Sequence, residues 1–140
     1  MSIDLRFLEE KLIQLQKYAV PLLRISIALV FLYFGISQII TPETFIGWLP
    51  SEASIIPVAP RILIIFNGLF EVFFGTLLFL GLYIRLSAFL LGAHLFGITI
   101  TIGFTEIGVR DFGLAMATLA MVLMPASEFS LEEYLSRIES

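Results

Sequence analysis

Cysteine is absent from the chain, and histidine occurs once, at position 94. The first absence excludes disulfides, thiol redox relays, thiolate-held iron–sulfur clusters and cysteine-built zinc sites. The second excludes bis-histidine haem ligation within one chain, and no His-x-x-x-His or Glu-x-x-His spacing is present to hold a metal. Positive charge is scarce too. Eight Lys and Arg against twelve Asp and Glu leave a net charge of −4. That balance argues against nucleic-acid binding, which needs clustered basic side chains to neutralise phosphates.

Apolar surface is what the chain has in abundance. Its 140 residues are 59% hydrophobic, and the mean hydropathy is +1.00. Those values belong to an integral membrane protein with room for one compact domain over residues 1–140. Roughly seventeen residues of mixed charge precede the first apolar run, with no Ala-x-Ala site following it at the right distance, so the N-terminus is not read as a cleavable signal.

Four apolar spans emerge, at residues 18–40, 61–82, 86–104 and 109–124. A bilayer core takes roughly 20 helical residues, and backbone polar groups in lipid must be satisfied within the segment, so the spans are predicted helices. Short links, Tyr83-Ile84-Arg85 and Thr105-Glu106-Ile107-Gly108, make consecutive helices antiparallel neighbours. The expected fold is an all-α polytopic membrane protein, an antiparallel four-transmembrane-helix bundle with amphipathic N- and C-terminal helices. Leu5, Leu8, Leu12 and Leu15 share one face of the first of these, and Ser130-Leu-Glu-Glu133 reads as a capping box opening the last.

The link from Thr41 to Pro60 holds four of the six prolines. It is read as a membrane-lying connector in preference to a lid, with Thr41 as N-cap, Pro42 in the first turn, and Phe45 and Trp48 at the interface. Arg6, Lys11, Lys17, Arg24, Arg85 and Arg137 fall on the side of the termini, and Arg61 and Arg110 on the other. This asymmetry predicts a multi-pass protein of the cell membrane with both termini cytoplasmic.

Each span carries a polar and small-residue stripe: Arg24, Ala28, Phe31, Gly35 and Gln38 in the first, and Asn67, Glu71 and Gly75 in the second. Ser87, His94 and Thr101 mark the third, and Asp111, Ala115 and Thr118 the fourth. Glu71 is the costliest of these, because a carboxylate at mid-span is unfavourable by a few kcal/mol unless it faces a bundle or a wet cavity. Depth counting at about 1.5 Å per residue puts His94 within one helical turn of Glu71, with Arg24 about one turn nearer the cytoplasm. The expected ligand site is therefore a buried Arg24, Asn67, Glu71 and His94 group with Phe31, Phe70 and Phe74 as walls, in which Arg24 would hold Glu71 ionised and without which desolvation would favour the neutral acid. An outer polar cluster of Gln38, Arg110 and Asp111, near Asn67, is expected above it; Arg110 and Asp111, about 100° apart on their helix, need not pair with each other. No metal site is expected.

With these residues in view the chain resembles the DoxX family of small four-helix membrane proteins. The resemblance rests on Leu23-Arg24 and Phe34-Gly35, on Asn67-Gly68-x-x-Glu71 with Gly75, and on His94-Leu95. Gly108-Val-Arg-Asp-Phe-Gly-Leu114 is its most distinctive piece, and the whole covers about Pro21 to Leu123. Family members often carry Lys near the position of Gln38, a charge this chain lacks. The family includes a membrane subunit of thiosulfate:quinone oxidoreductase, so the resemblance implies quinone as a cofactor or substrate and a soluble or membrane redox protein as partner. With no flavin motif, haem ligand pair or cluster thiolates of its own, the chain reads as a non-autonomous subunit of a quinone-linked assembly in the lipid bilayer. Homo-oligomerisation is left open. A structural membrane subunit with a buried ionic cluster, and a small-molecule transporter or binding protein, stand as the alternatives.

Overall fold

The computed structural model describes residues 5–125 and 129–139. Among them the regular structure is helical: α1 (Leu5–Leu15), α2 (Ala19–Ile40), α3 (Pro60–Leu80), α4 (Ile84–Ile102), α5 (Glu106–Ala120) and α6 (Leu131–Glu139). Three stretches are long and apolar enough to cross a membrane, namely Arg6–Ile40, Pro60–Leu80 and Ile84–Ile102. α5, at 15 residues, is extended only by a 3-10 turn at Met121–Leu123.

Local sequence explains most of the boundaries. α1 continues into α2 through a 3-10 turn at Gln16–Tyr18. That turn sits where Pro21 has no N–H for the carbonyl of Lys17 and would crowd it in an α-helical ladder. α3 opens with Pro60 at its first position, where a missing N–H costs nothing. It closes on Gly81 in the left-handed region at φ 75°, with the Leu82 N–H reaching back to the Leu77 carbonyl at 2.9 Å. This is a glycine C-cap of the Schellman kind. The link to α4 is Gly81–Tyr83, two residues earlier than the sequence suggests, and most of the expected second link is the first turn of α5. Thr105 is the N-cap there, its Oγ1 accepting from the Gly108 N–H at 3.0 Å. Thr41 holds the N-cap position of the next turn, with Pro42 following it as expected, but its side chain makes no cap hydrogen bond. Its hydroxyl donates back to the Ser37 carbonyl at 3.0 Å, and the segment after it is a 3-10 turn at Pro42–Trp48.

The stripes are the buried faces of α2, α3 and α5. α4 departs from expectation: its buried line runs through Ser87, Leu91, Leu95 and Thr99, while His94 is half-buried and Thr101 exposed. Large apolar side chains point outward instead, among them Leu22, Leu29 and Tyr33 on α2, and Ile62, Phe66 and Phe73 on α3. Polar inside and apolar outside is the arrangement that suits lipid as solvent.

Helix packing is closest in the antiparallel pairs α2–α3 and α4–α5. In the first pair the backbones touch. A Cβ placed on Gly68 would lie 2.6 Å from the Gly35 carbonyl oxygen, and one on Gly35 would lie 2.8 Å from that of Gly68. Carbonyl oxygens on helix backbones cannot retreat, so only glycine permits this crossing. Gly68→Ala should force α2 and α3 apart and destabilise the protein by about 1–3 kcal/mol. Gly47→Ala, where no atom lies within 4 Å of the added methyl, should be near neutral. Thermal unfolding followed by circular dichroism in detergent compares the two.

Candidate ligand site

The glycine crossing determines what lies above it. One turn along α2 from Gly35 is Gln38; flanking Gly68 on α3 are Asn67 and, one turn on, Glu71. With the backbones in contact, these polar side chains from the two helices meet. Gln38 Nε2 donates to Glu71 Oε2 at 3.2 Å, and Asn67 Nδ2 donates to Glu71 Oε1 at 3.0 Å and to Gln38 Oε1 at 2.6 Å. Glu71 is 4% exposed and Gln38 7%. The buried carboxylate is thus held by two amides, and neutral donors of this kind answer the hydrogen-bonding demand of a carboxylate without neutralising its charge.

Arg24 is elsewhere. It is buried too, but Nη1 donates to the carbonyls of Leu78 at 2.7 Å and Phe79 at 2.6 Å, and Nη2 to that of Phe129 at 2.8 Å. The expected Arg24–Glu71–His94 cluster therefore does not form. Seven residues of α3, about 10 Å of rise, separate Glu71 from Leu78. The Leu78 and Phe79 carbonyls in the last turn of α3, at the negative end of the helix dipole, are the nearer acceptors. Arg24 ties α2, the end of α3 and the segment before α6 together. A Cβ on Gly81 would lie 2.7 Å from its Nη1, and the Glu132 N–H bonds the Gly81 carbonyl at 3.1 Å.

His94 stands behind Glu71. Its Nε2 is 3.8 Å from Glu71 Oε1, beyond hydrogen-bond length, and this buried nitrogen has no hydrogen-bond partner. Its ring packs on Phe70 with centroids 4.9 Å apart, and Phe70 in turn packs on Phe74. Of the expected aromatic walls, then, Phe70 packs on the histidine and Phe74 on Phe70, and neither lines the open space.

That space is a cleft of about 550 Å³ among α2, α3, α4, α5 and the proline-rich connection. Phe31, Phe34, Phe45 and Trp48 form aromatic walls, joined by aliphatic side chains such as Ile64 and Leu95. Its polar groups are Gln38, Asn67, Glu71, Thr101, Arg110 and Asp111, so the two expected clusters merge, less Arg24 and with His94 outside the lining. Arg110 and Asp111 pair, a contact the sequence left open: Arg110 Nε and Nη2 each lie 2.8 Å from Asp111 Oδ1. Adjacent helical positions diverge by about 100°, but the long arginine side chain folds back across that angle.

The connection also differs from its sequence reading. Phe45, Trp48, Leu49, Pro50, Ala53 and Ile56 all line the cleft, so the segment covers it as well as joining α2 to α3. An exposed Arg61–Glu43 ion pair of 3.3 Å links this cover to the start of α3, a contact of little energetic weight in solvent. Sequence reasoning missed Phe34 as a wall. Its position one turn before Gln38, on the same face of α2, was the available signal.

Among the described residues no group of His, Asp and Glu is arranged to hold a metal ion. A family model, DoxX, matches residues 19–104, which takes in Gln38, Asn67, Glu71 and His94 and ends before Arg110-Asp111. No curated protein and no solved structure matches the chain significantly.

Separate double-mutant cycles test this geometry. Arg24→Leu and Glu71→Leu should each destabilise the protein but combine additively within about 0.5 kcal/mol, as sites without shared partners do. Gln38→Leu with Glu71→Leu should show coupling of about 0.5–3 kcal/mol, read from unfolding in detergent.

Proposed function

The chain belongs to the DoxX family of integral membrane proteins, and on that premise we propose that it binds a quinone-type head group in the cleft, as a non-autonomous membrane subunit of a redox assembly. The observation that carries this reading is the meeting of an aromatic-walled cleft of about 550 Å³ with a floor of two amides and a carboxylate. Small-molecule sites have this size and this make-up, an apolar enclosure with a few convergent polar groups.

The donor set fits a flat ring with carbonyls. The amide N–H groups of Gln38 and Asn67 are the donors for a carbonyl oxygen, in exchange for or alongside their bonds to Glu71. Phe31, Phe34 and Trp48 flank the ring and keep water from it. A bound quinone supplies a two-electron, two-proton couple. Glu71 accepts or releases a proton at Oε1 or Oε2, a role suited to a carboxylate that is desolvated and held by movable amide donors. Electrons come from a partner protein, because the sequence holds no ligand set for a redox centre of its own.

The whole chain is one DoxX domain on this reading. α5 with its terminal turn is the fourth span, antiparallel to α4, and the terminal helices and both chain ends lie on the cytoplasmic side. The cleft, at the end of the bundle where the 41–59 connection crosses, then opens toward the outer face. A structural role is the second reading, favoured by the fact that Gln38, Asn67 and Glu71 satisfy one another.

Lipid extracts of the protein purified from native membranes should contain quinone. A short-chain ubiquinone analogue should quench the single tryptophan, Trp48, saturably. Gln38→Leu and Asn67→Leu should each weaken that binding by up to about ten-fold, in line with loss of an amide hydrogen bond to the ring carbonyl. Equal affinity in both variants and the parent would remove the quinone reading and leave the structural one.

A further inference from the structure

Glu71 has no strong counter-charge. Among the described residues no Lys or Arg forms an ion pair with it. The arginine on the facing helix, Arg24, is engaged by three backbone carbonyls. His94 Nε2 stands 3.8 Å away. Buried charges in proteins are as a rule paired, because an isolated one is expensive in a medium of low dielectric. A carboxylate lodged in an intramembrane cleft with only amide donors is therefore a receptor for positive charge brought from outside the chain.

The cleft has the rest of what such a guest needs. Its ionisable lining groups are Glu71, Asp111 and Arg110, and Arg110 is paired with Asp111 at 2.8 Å, so Glu71 is the lining carboxyl without an Arg or Lys partner, and a cation brought beside it favours its charged form. Phe31, Phe34, Phe45 and Trp48 offer π faces, which attract organic cations most strongly where water is excluded. The volume of about 550 Å³ exceeds what a metal ion or a single ammonium group would fill. We infer that the cleft binds a lipophilic organic cation, a singly charged centre shielded by apolar or aromatic groups, with its charge directed to Glu71 and its hydrocarbon against the aromatic walls. This inference stands apart from the quinone reading: it needs the charge of Glu71, not a redox couple. A guest of this kind would compete with quinone for the same floor.

Tetraphenylphosphonium is a suitable probe, with triphenylphosphine oxide as its neutral counterpart and tetraphenylborate as its anionic one. Binding to the full chain in detergent is measured by Trp48 fluorescence and, independently, by equilibrium dialysis with labelled probe. The cation should bind saturably, at least ten-fold more tightly than the neutral or anionic compound. Glu71→Gln should lower the cation affinity at least ten-fold while leaving the weak binding of the neutral compound unchanged, which separates specific binding from partition into the micelle. Equal affinity for cation and neutral compound, or a cation affinity unchanged in Glu71→Gln, overturns the inference.

Should Glu71→Gln fail to fold, Phe45→Leu decides, since Phe45 lies in the connection outside the helix-packing core. Dialysis should then show a three- to ten-fold loss for the cation alone, and no loss overturns the inference. Failure of the two readings is distinguishable: quinone quenching without cation binding defeats only this inference, and the reverse defeats only the quinone reading.

Discussion

Backbone contact between Gly35 and Gly68 is the constraint on which the rest depends. It brings α2 and α3 closer than any pair of side chains would allow, and the dividend is paid one turn away, where Gln38 reaches the carboxylate of Glu71. In a bilayer there is no hydrophobic force between apolar helices, since lipid tails solvate leucine as well as leucine does. Close packing at small residues and bonds between polar ones supply the attraction instead. Here the two devices are adjacent on the same helix pair. The glycines permit the approach, and the amide–carboxylate bonds favour it.

The two buried ionisable residues of this pair have separate tasks at opposite ends. Arg24 completes the C-terminus of α3, bonding the Leu78 and Phe79 carbonyls of its last turn, and it gathers the segment before α6 to the same point. Glu71 faces the other way, into an open cleft, with neutral donors around it. An arginine consumed by structure and a carboxylate held only by amides are the electrostatic basis for proposing the cleft, and not the α3 terminus, as the ligand site. His94 backs the carboxylate from α4 without bonding to it, and its own packing partner is Phe70.

The cover over the cleft is built from the least regular part of the chain. Prolines prevent residues 41–59 from forming a long helix, so the segment folds as two 3-10 turns, Pro42–Trp48 and Ser51–Ile55. Phe45 and Trp48 are carried on the first of these and face the same space as Phe31 and Phe34 on α2. An aromatic residue near a membrane surface has two places to go, the lipid interface or a protein cavity. The choice depends on whether the helices beneath leave a gap. Here they do, because α2 with α3 and α4 with α5 pack as two close pairs with looser contact between them.

Period and composition were enough to read the helices, their approximate ends, and the buried polar stripes of α2, α3 and α5, because in lipid every backbone bond must close within its own segment and every ionisable group must turn inward. Those are local or one-dimensional conditions, and a sequence states them directly. Which inward groups meet is a different matter. Arg24 and Glu71 looked like partners by charge and depth, yet the carbonyls at the α3 terminus were closer to Arg24, and backbone acceptors leave no trace in residue identity. Gln38 joined Glu71 because of a helix separation set by two glycines on different segments. Arg110 folded onto its own neighbour, and the α4 stripe rotated from Thr101 to Thr99. Helix faces were legible in the chain; the pairing of groups across faces was decided by interhelical distance and rotation, which only the assembled bundle defines.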